Sequence, residues 1–445
     1  MAWLLLGCIH RYSGNQGIKM KCTQLDSLEH LLRKCRLNSL FATGKLFFLI
    51  MKQDSRLRTL ILSTLLLFSV PLLTFAQIDP MQRNLLELGY DQPLVGQGPQ
   101  AVYAYYYYNN PEFIRTNMAL RLALASAYLY GELGFKQLLS PYTDVGIGLY
   151  GGAFGDNFYE IRQGHYYKSE SFDGNGGGTA LSLYHLLNPG MRIPLNFVAR
   201  AGLIYSVYDD TRHTSPDFSV PDNRVTGFVR TGLRFAGKEP VLYPDLGLEV
   251  SVWFERQWRT GLDPYGFNGD REVSAASSLY WVYAGLNYAW TNVGSKISFA
   301  VTAGGSSSAD RFSAWRLGGV LPLVSEFPLV MPGYYYEELS AEEFLHLYFR
   351  YSVPLDRQHR FELMFEAASA RLNYLPGFEQ PGNWQTGAGV GLGYTPKSQI
   401  CRIILRYGYG FNAIRGAEEG AQSIGLLVQL DFEAWKKRKR SRSDQ

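Results

Sequence analysis

From about residue 99 to Phe432 the chain alternates apolar and polar side chains in runs of roughly ten residues. Successive side chains of a strand point to opposite faces, so such runs predict strands with one apolar face. Phe361, Leu363, Phe365 and Ala367 fall on one face, and Arg360, Glu362, Met364 and Glu366 on the other. In 245–257, Leu246, Leu248, Val250, Val252 and Phe254 alternate with Glu249, Ser251, Trp253, Glu255 and Gln257. In 224–236, Val225, Val229, Leu233 and Phe235 oppose Arg224, Thr226, Arg230 and Arg234. In 400–411, Ile403, Leu405, Tyr407 and Tyr409 oppose Arg402, Ile404, Arg406, Gly408 and Gly410.

The connections between these runs have their own rhythm. Short turns fall near 136–141, 188–194, 237–244, 291–295, 354–359 and 395–399. Longer ones fall near 108–115, 154–176, 208–223, 258–275, 305–344, 373–385 and 412–420. Short turns on one side and long loops on the other are the signature of an outer-membrane barrel. In lipid every backbone N–H and C=O must be paired, and a closed barrel pairs them all. The expected fold is therefore all-β: a transmembrane antiparallel β-barrel with short periplasmic turns and long extracellular loops. Fourteen strands are plain in the pattern, and sixteen is the expected even number. Residues 77–98 are less regular, and Arg115 to Phe135 is long enough to contain a bend.

Alternation alone does not say which face is wet. The N-terminal region decides: Leu60 to Leu73 is apolar, Lys52, Arg56 and Arg58 precede it, and Thr74-Phe75-Ala76 follow. That order predicts a signal peptide over 51–76, cut after Ala76, with Met51 as the start and 1–50 as an upstream, non-native extension. The segment 77–98 is then a short periplasmic or first-strand segment, 99–432 the barrel and 433–445 a basic tail. An exported barrel turns its polar face inward, so Arg230, Arg234, Glu249, Glu255, Glu362, Glu366, Arg402 and Arg406 are expected to line the lumen.

Composition agrees. The 445 residues are 18% charged and 15% aromatic, with 31 Tyr and 46 Gly, and mean hydropathy is only −0.13, unlike a helical membrane protein. Cys8, Cys22 and Cys35 precede Met51, which leaves Cys401 alone afterwards and predicts neither a disulfide nor a cysteine metal cluster in the mature chain. The net charge of +4 owes much to the tail Lys436-Lys437-Arg438-Lys439-Arg440-Ser441-Arg442. Export argues against nucleic acid as its partner and favours a solvated tail touching anionic headgroups. Outer-membrane lipids and, during biogenesis, the barrel-assembly machinery are the expected partners.

No catalytic pattern competes with this reading. His165, His185, His213, His346 and His359 stand at no metal-ligand spacing to one another, and no Gly-x-Ser-x-Gly elbow is present. The run Gly174-Asn175-Gly176-Gly177-Gly178 lacks the lysine and strand–helix setting of a phosphate loop and is expected to be a loop. No enzyme activity, metal or cofactor is expected.

One connection stands apart. Residues 305–344 run through Trp315-Arg316-Leu317-Gly318-Gly319 to Phe327-Pro328-Leu329-Val330-Met331-Pro332-Gly333-Tyr334-Tyr335-Tyr336. A loop this long and apolar is expected to fold into the lumen, burying Phe327, Leu329 and Val330. Phe312, Leu317-Gly318-Gly319, Gly333-Tyr334 and a strand ending near Pro354 resemble the C-terminal barrel of the bacterial surface antigen superfamily, most closely over 296–432. The resemblance implies sixteen strands, an in-folded sixth extracellular loop between strands eleven and twelve, and a role in inserting or translocating protein, with an unfolded chain as substrate. It makes Arg316, Gly318, Gly319, Gly333 and Tyr334 the loop's candidate residues, and it implies a weak lateral seam, with Gly387 to Gly393, Gly408 and Gly410 as sites of loosened pairing. The superfamily's tip arginine, which pairs with an acid in the wall, is here Pro332, so that lock is absent or is supplied by another residue such as Arg316. Room for periplasmic substrate-binding domains is also missing between Gln77 and the first strand. The alternative function is a passive pore with a charged lumen.

Overall fold

The computed structural model describes residues 81–443 apart from 126–127, 153–157, 239–245, 322–326 and 417. The expected signal peptide and upstream extension lie outside the described residues. The strands are β1 (Arg83–Pro93), β2 (Ala101–Asn110), β3 (Met118–Ala125), β4 (Tyr128–Ser140), β5 (Thr143–Gly152) and β6 (Phe172–Leu186). Next come β7 (Leu195–Asp210), β8 (Arg224–Lys238), β9 (Leu246–Arg259), β10 (Ala276–Ala289) and β11 (Lys296–Ser307). The last five are β12 (Leu339–Pro354), β13 (Phe361–Tyr374), β14 (Trp384–Tyr394), β15 (Cys401–Arg415) and β16 (Glu418–Asp431).

Each strand pairs antiparallel with its sequence neighbour, and β1 closes on β16 from Leu85↔Asp431 to Pro93↔Ser423. Sixteen strands in a closed ring leave no edge unpaired. The alternation becomes two surfaces. Leu181, Val250, Val252, Phe254, Phe365 and Leu405 are exposed on the outside, while Glu249, Ser251, Glu255, Glu366 and Arg406 are buried within. No described helix is long and apolar enough to cross a membrane.

The chain termini of the barrel share their end with the connections 111–117, 141–142, 187–194, 290–295, 355–360 and 395–400. The opposite end carries 94–100, 211–223, 260–275, 308–338 and 375–383. Several expectations change. Gly174 to Gly178, expected to be a loop, lies within β6 and pairs with β7, and the connection expected over 412–420 is a tight turn, since β15 runs to Arg415 and β16 starts at Glu418. The connection expected at 108–115 on the long-loop side lies instead on the short-turn side, because β1 precedes it and Arg115 to Phe135 contains β3 and β4 rather than one bent strand. Each added strand shifts the side of a connection by one parity step. The last strand also stops before Phe432, since Asp431 accepts hydrogen bonds from Glu433 N (2.9 Å) and Ala434 N (3.0 Å) and so caps a helix, α1 (Phe432–Ser443). The basic tail is helical.

Candidate functional site

All eight expected lumen charges face inward, and the structure joins them as four cross-strand pairs. Arg230 meets Glu255 at 2.5 Å and Arg234 meets Glu249 at 3.1 Å between β8 and β9. Arg402 pairs with Glu362, and Arg406 with Glu366. The second two pairs join β15 to β13 across the intervening β14. They can do so because β14 presents Gly389, Gly391 and Gly393 inward: a Cβ at Gly393 would stand 2.6 Å from Glu362 Cγ, and one at Gly391 3.3 Å from Arg406 Cγ. Around β3–β7 a second network joins Arg121 to Glu132 (2.8 Å) and Tyr184 to both oxygens of Glu132 (3.0 Å each).

The apolar loop, Ser308 to Glu338 between β11 and β12, enters the barrel from the end opposite the termini. Its outer part joins the neighbouring loops in a cap. Phe312 packs among Phe158, Phe172, Tyr208 and Tyr265, and Asp310 pairs with Arg259 at 2.7 Å. Despite burial, which works against the charge, Glu160 and Glu170 in this cap hold the Arg271 guanidinium above its usual range.

Inside, the loop folds back on itself. Trp315–Leu317 pairs with β12, Gly318 N donates to Leu329 O (3.1 Å) and Gly319 N to Tyr335 O (3.0 Å). Both glycines have positive φ, and a Cβ on Gly318 would collide with the Tyr335 carbonyl, so this double-back requires them. Phe327 then lies against Trp253, Trp281 and Tyr283 of β9 and β10. Val320 and Leu321 form a second apolar cluster with Met364, Ile404 and Leu427. The expected polar lumen is therefore apolar where the loop is seated.

The tip Pro332-Gly333-Tyr334 rests on glycine. Gly387 and Gly389 of β14 and Gly408 and Gly410 of β15 all face inward beneath it: a Cβ at Gly408 would lie 2.6 Å from Gly333 N, and one at Gly410 2.8 Å from Tyr334 Cε2. Pairing is unbroken on the β13–β14–β15 side, whereas the β15–β16 ladder shifts register between Gly410 and Ile414. Phe361↔Tyr394 through Arg371↔Trp384 and Gly387↔Gly410 through Tyr394↔Ile403 run without a break. The glycines leave a smooth floor for close backbone approach.

Arg316, the candidate for the lock that the resemblance implies, pairs with Glu337 of its own loop, and a different ion pair joins the loop to the wall. The wall supplies the cation: Arg415 of β15 grips Glu338 through two parallel bonds, 2.8 and 2.9 Å, with both side chains almost wholly buried, and stacks on Tyr335 at 3.5 Å. Further anchors surround it. Tyr334 OH donates to Gln385 Oε1 (2.8 Å), and His346 Nε2 lies 2.9 Å from Val330 O.

Two anchors hold the strands of the closure. Asp91 of β1 accepts from Val320 N at 2.7 Å, and Ser423 of β16 accepts from Gly333 N at 3.2 Å. The loop thus bridges the β1–β16 junction from inside. Replacing Asp91 with Ala leaves the Val320 amide buried without an acceptor, a cost of about 1–3 kcal/mol, so the thermal midpoint in detergent should fall. An unchanged midpoint would remove Asp91 from the anchor set. Glu338, Arg415, Asp91, Gln385 and His346 were not sequence candidates. Among the described residues no cluster of His, Cys, Asp or Glu is arranged to hold a metal.

No protein-family model and no curated protein matches the chain. Solved structures do. CdiB from Acinetobacter baumannii superposes with a TM-score of 0.49 at 12% identity, covering 79% of this chain and 60% of that one. BamA from Haemophilus ducreyi lacking POTRA domains 1-3 gives 0.47 at 8% identity, covering 78% and 70%. OprB from Pseudomonas putida gives 0.43 at 11%, covering 78% and 93%. The fold is an outer-membrane-type β-barrel. This chain spans about three fifths of that CdiB, and at these scores the likenesses do not choose among functions. Three features that the surface-antigen resemblance implies are present: sixteen strands, an in-folded connection between the eleventh and twelfth, and five strands after it.

Proposed function

We propose that this chain is an outer-membrane barrel of the surface-antigen type that inserts protein into, or passes it across, the outer membrane, with the loop 308–338 as its movable stopper. The observation that carries the reading is the seating of that loop. It crosses the lumen, rests on glycine, and is tied to both β1 and β16, the strands whose junction would have to part for lateral release. No catalytic step is part of the proposal: His346 lies against a loop carbonyl, and Glu249, Glu255, Glu362 and Glu366 pair with arginines.

A second reading, a passive pore, is favoured by Arg121 of β3 and Arg200 of β7, whose side chains keep 23% and 19% of their exposure. Planar-bilayer conductance separates the two. The wild-type barrel should be nearly closed and a deletion of 320–336 should conduct steadily. A large open pore that ignores the deletion sinks the stopper. For the transport half, an outer-membrane proteome unaltered by loss of the gene would count against it.

A further inference from the structure

We infer that α1 is a phospholipid-gathering arm: it collects anionic headgroups of the leaflet at the termini end of the barrel, beside the β1–β16 junction. The inference rests on the membrane location proposed above. Val428 and Leu430 are the last residues of β16 on its outer face, and the helix begins two residues after Leu430. Its first residues therefore leave the wall at headgroup depth. Asp431 fixes that exit through its two cap bonds, and α1 lies close to β1 rather than standing away from the barrel.

The helix carries Lys436, Lys437, Arg438, Lys439, Arg440 and Arg442 against one acid, Glu433, which pairs with Lys436 at 3.0 Å. Such a helix has little to bury in acyl chains, so its affinity for a membrane must come from its charge. Trp435 supplies an interfacial aromatic, 51% exposed. The turns at the same end add exposed Lys397 and Arg357, which extend the positive rim. Each cation near an anionic lipid surface favours binding about fivefold. The complementary surface at that depth is an anionic phospholipid leaflet.

The test uses the full chain folded into phosphatidylcholine vesicles that contain brominated phosphatidylglycerol or, at the same mole fraction, brominated phosphatidylcholine. The contribution of Trp435 is the difference between wild type and Trp435→Phe. Its quenching by the brominated anionic lipid should be at least twice that by the neutral one. The difference should vanish near 1 M salt, where screening acts within about 3 Å, and in a variant with all six cations changed to Gln. Equal quenching by the two lipids at low salt overturns the inference and leaves a protein partner as the helix's occupant. Circular dichroism and heat-dependent gel mobility report the barrel separately. A chain that inserts into neither vesicle overturns the membrane reading, and the arm with it.

Discussion

Gly333→Val should turn a closed barrel into a conducting one. Gly333 holds φ +88°, and a Cβ there would press into the amide nitrogen of Gly410, which belongs to the wall. A β-branched residue is costly at that φ even in open space, and here the neighbour is backbone that cannot step aside. The tip must lift. Lifting breaks the Gly333–Ser423 and Tyr334–Gln385 bonds, while the wall's own ladders are untouched. Conductance should rise with barrel mobility on gels unchanged. Gly387→Val, which pushes from the wall against Pro332 O, should act in the same way, whereas Gly237→Val, with nothing near its Cβ, should not. A Gly333→Val barrel as tight as wild type would show that the tip does not seal the lumen.

Cutting the Arg415–Glu338 grip should be the most destabilising single polar change in the loop. Both side chains are buried to within 3% of full cover, so Glu338→Gln leaves a guanidinium without its counter-charge in a dry site. Removing one partner of such a pair costs about 3–5 kcal/mol, whereas replacing both with apolar residues of similar volume is often neutral. Glu338→Gln and Arg415→Met should each lower the thermal midpoint and open 308–338 to protease, and Glu338→Leu with Arg415→Met should recover most of the loss. A double variant as damaged as the sum of the singles would mean that the two residues act independently.

The barrel was legible because lipid outside and polar groups inside impose a period of two on every strand. Leu246 to Gln257 shows this without ambiguity, and fourteen of the sixteen strands and the position of the long loop followed from it. Sidedness was harder. Each unseen strand reverses the end assigned to a connection, so reading Arg115 to Phe135 as one segment misplaced 108–115. The site was legible in its apolar half, since Phe327, Val330 and Tyr334 are too hydrophobic for a solvated tip. Its polar half was not: Glu338 and Arg415 are 77 residues apart and meet only in three dimensions. The glycines carried a signal that local propensity obscured. Gly387, Gly389, Gly391 and Gly393 recur at every second position, which places all four on one face, and a face without side chains is a floor for another backbone.

The two ends of the barrel chain also decide the order of assembly. Asp91 belongs to the first strand and Ser423 to the last, and the loop that touches both is made between them. The β1 and β16 anchors do not stand side by side until Leu85 and Asp431 come together across nearly the whole barrel sequence, the most distant pairing in the ladder. Such long-range closure is slow, and contacts that depend on it form late. The Asp91–Val320 bond is therefore a structural record of completed closure: a barrel caught before its final hairpin joins its first strand would lack the tie between that strand and the loop.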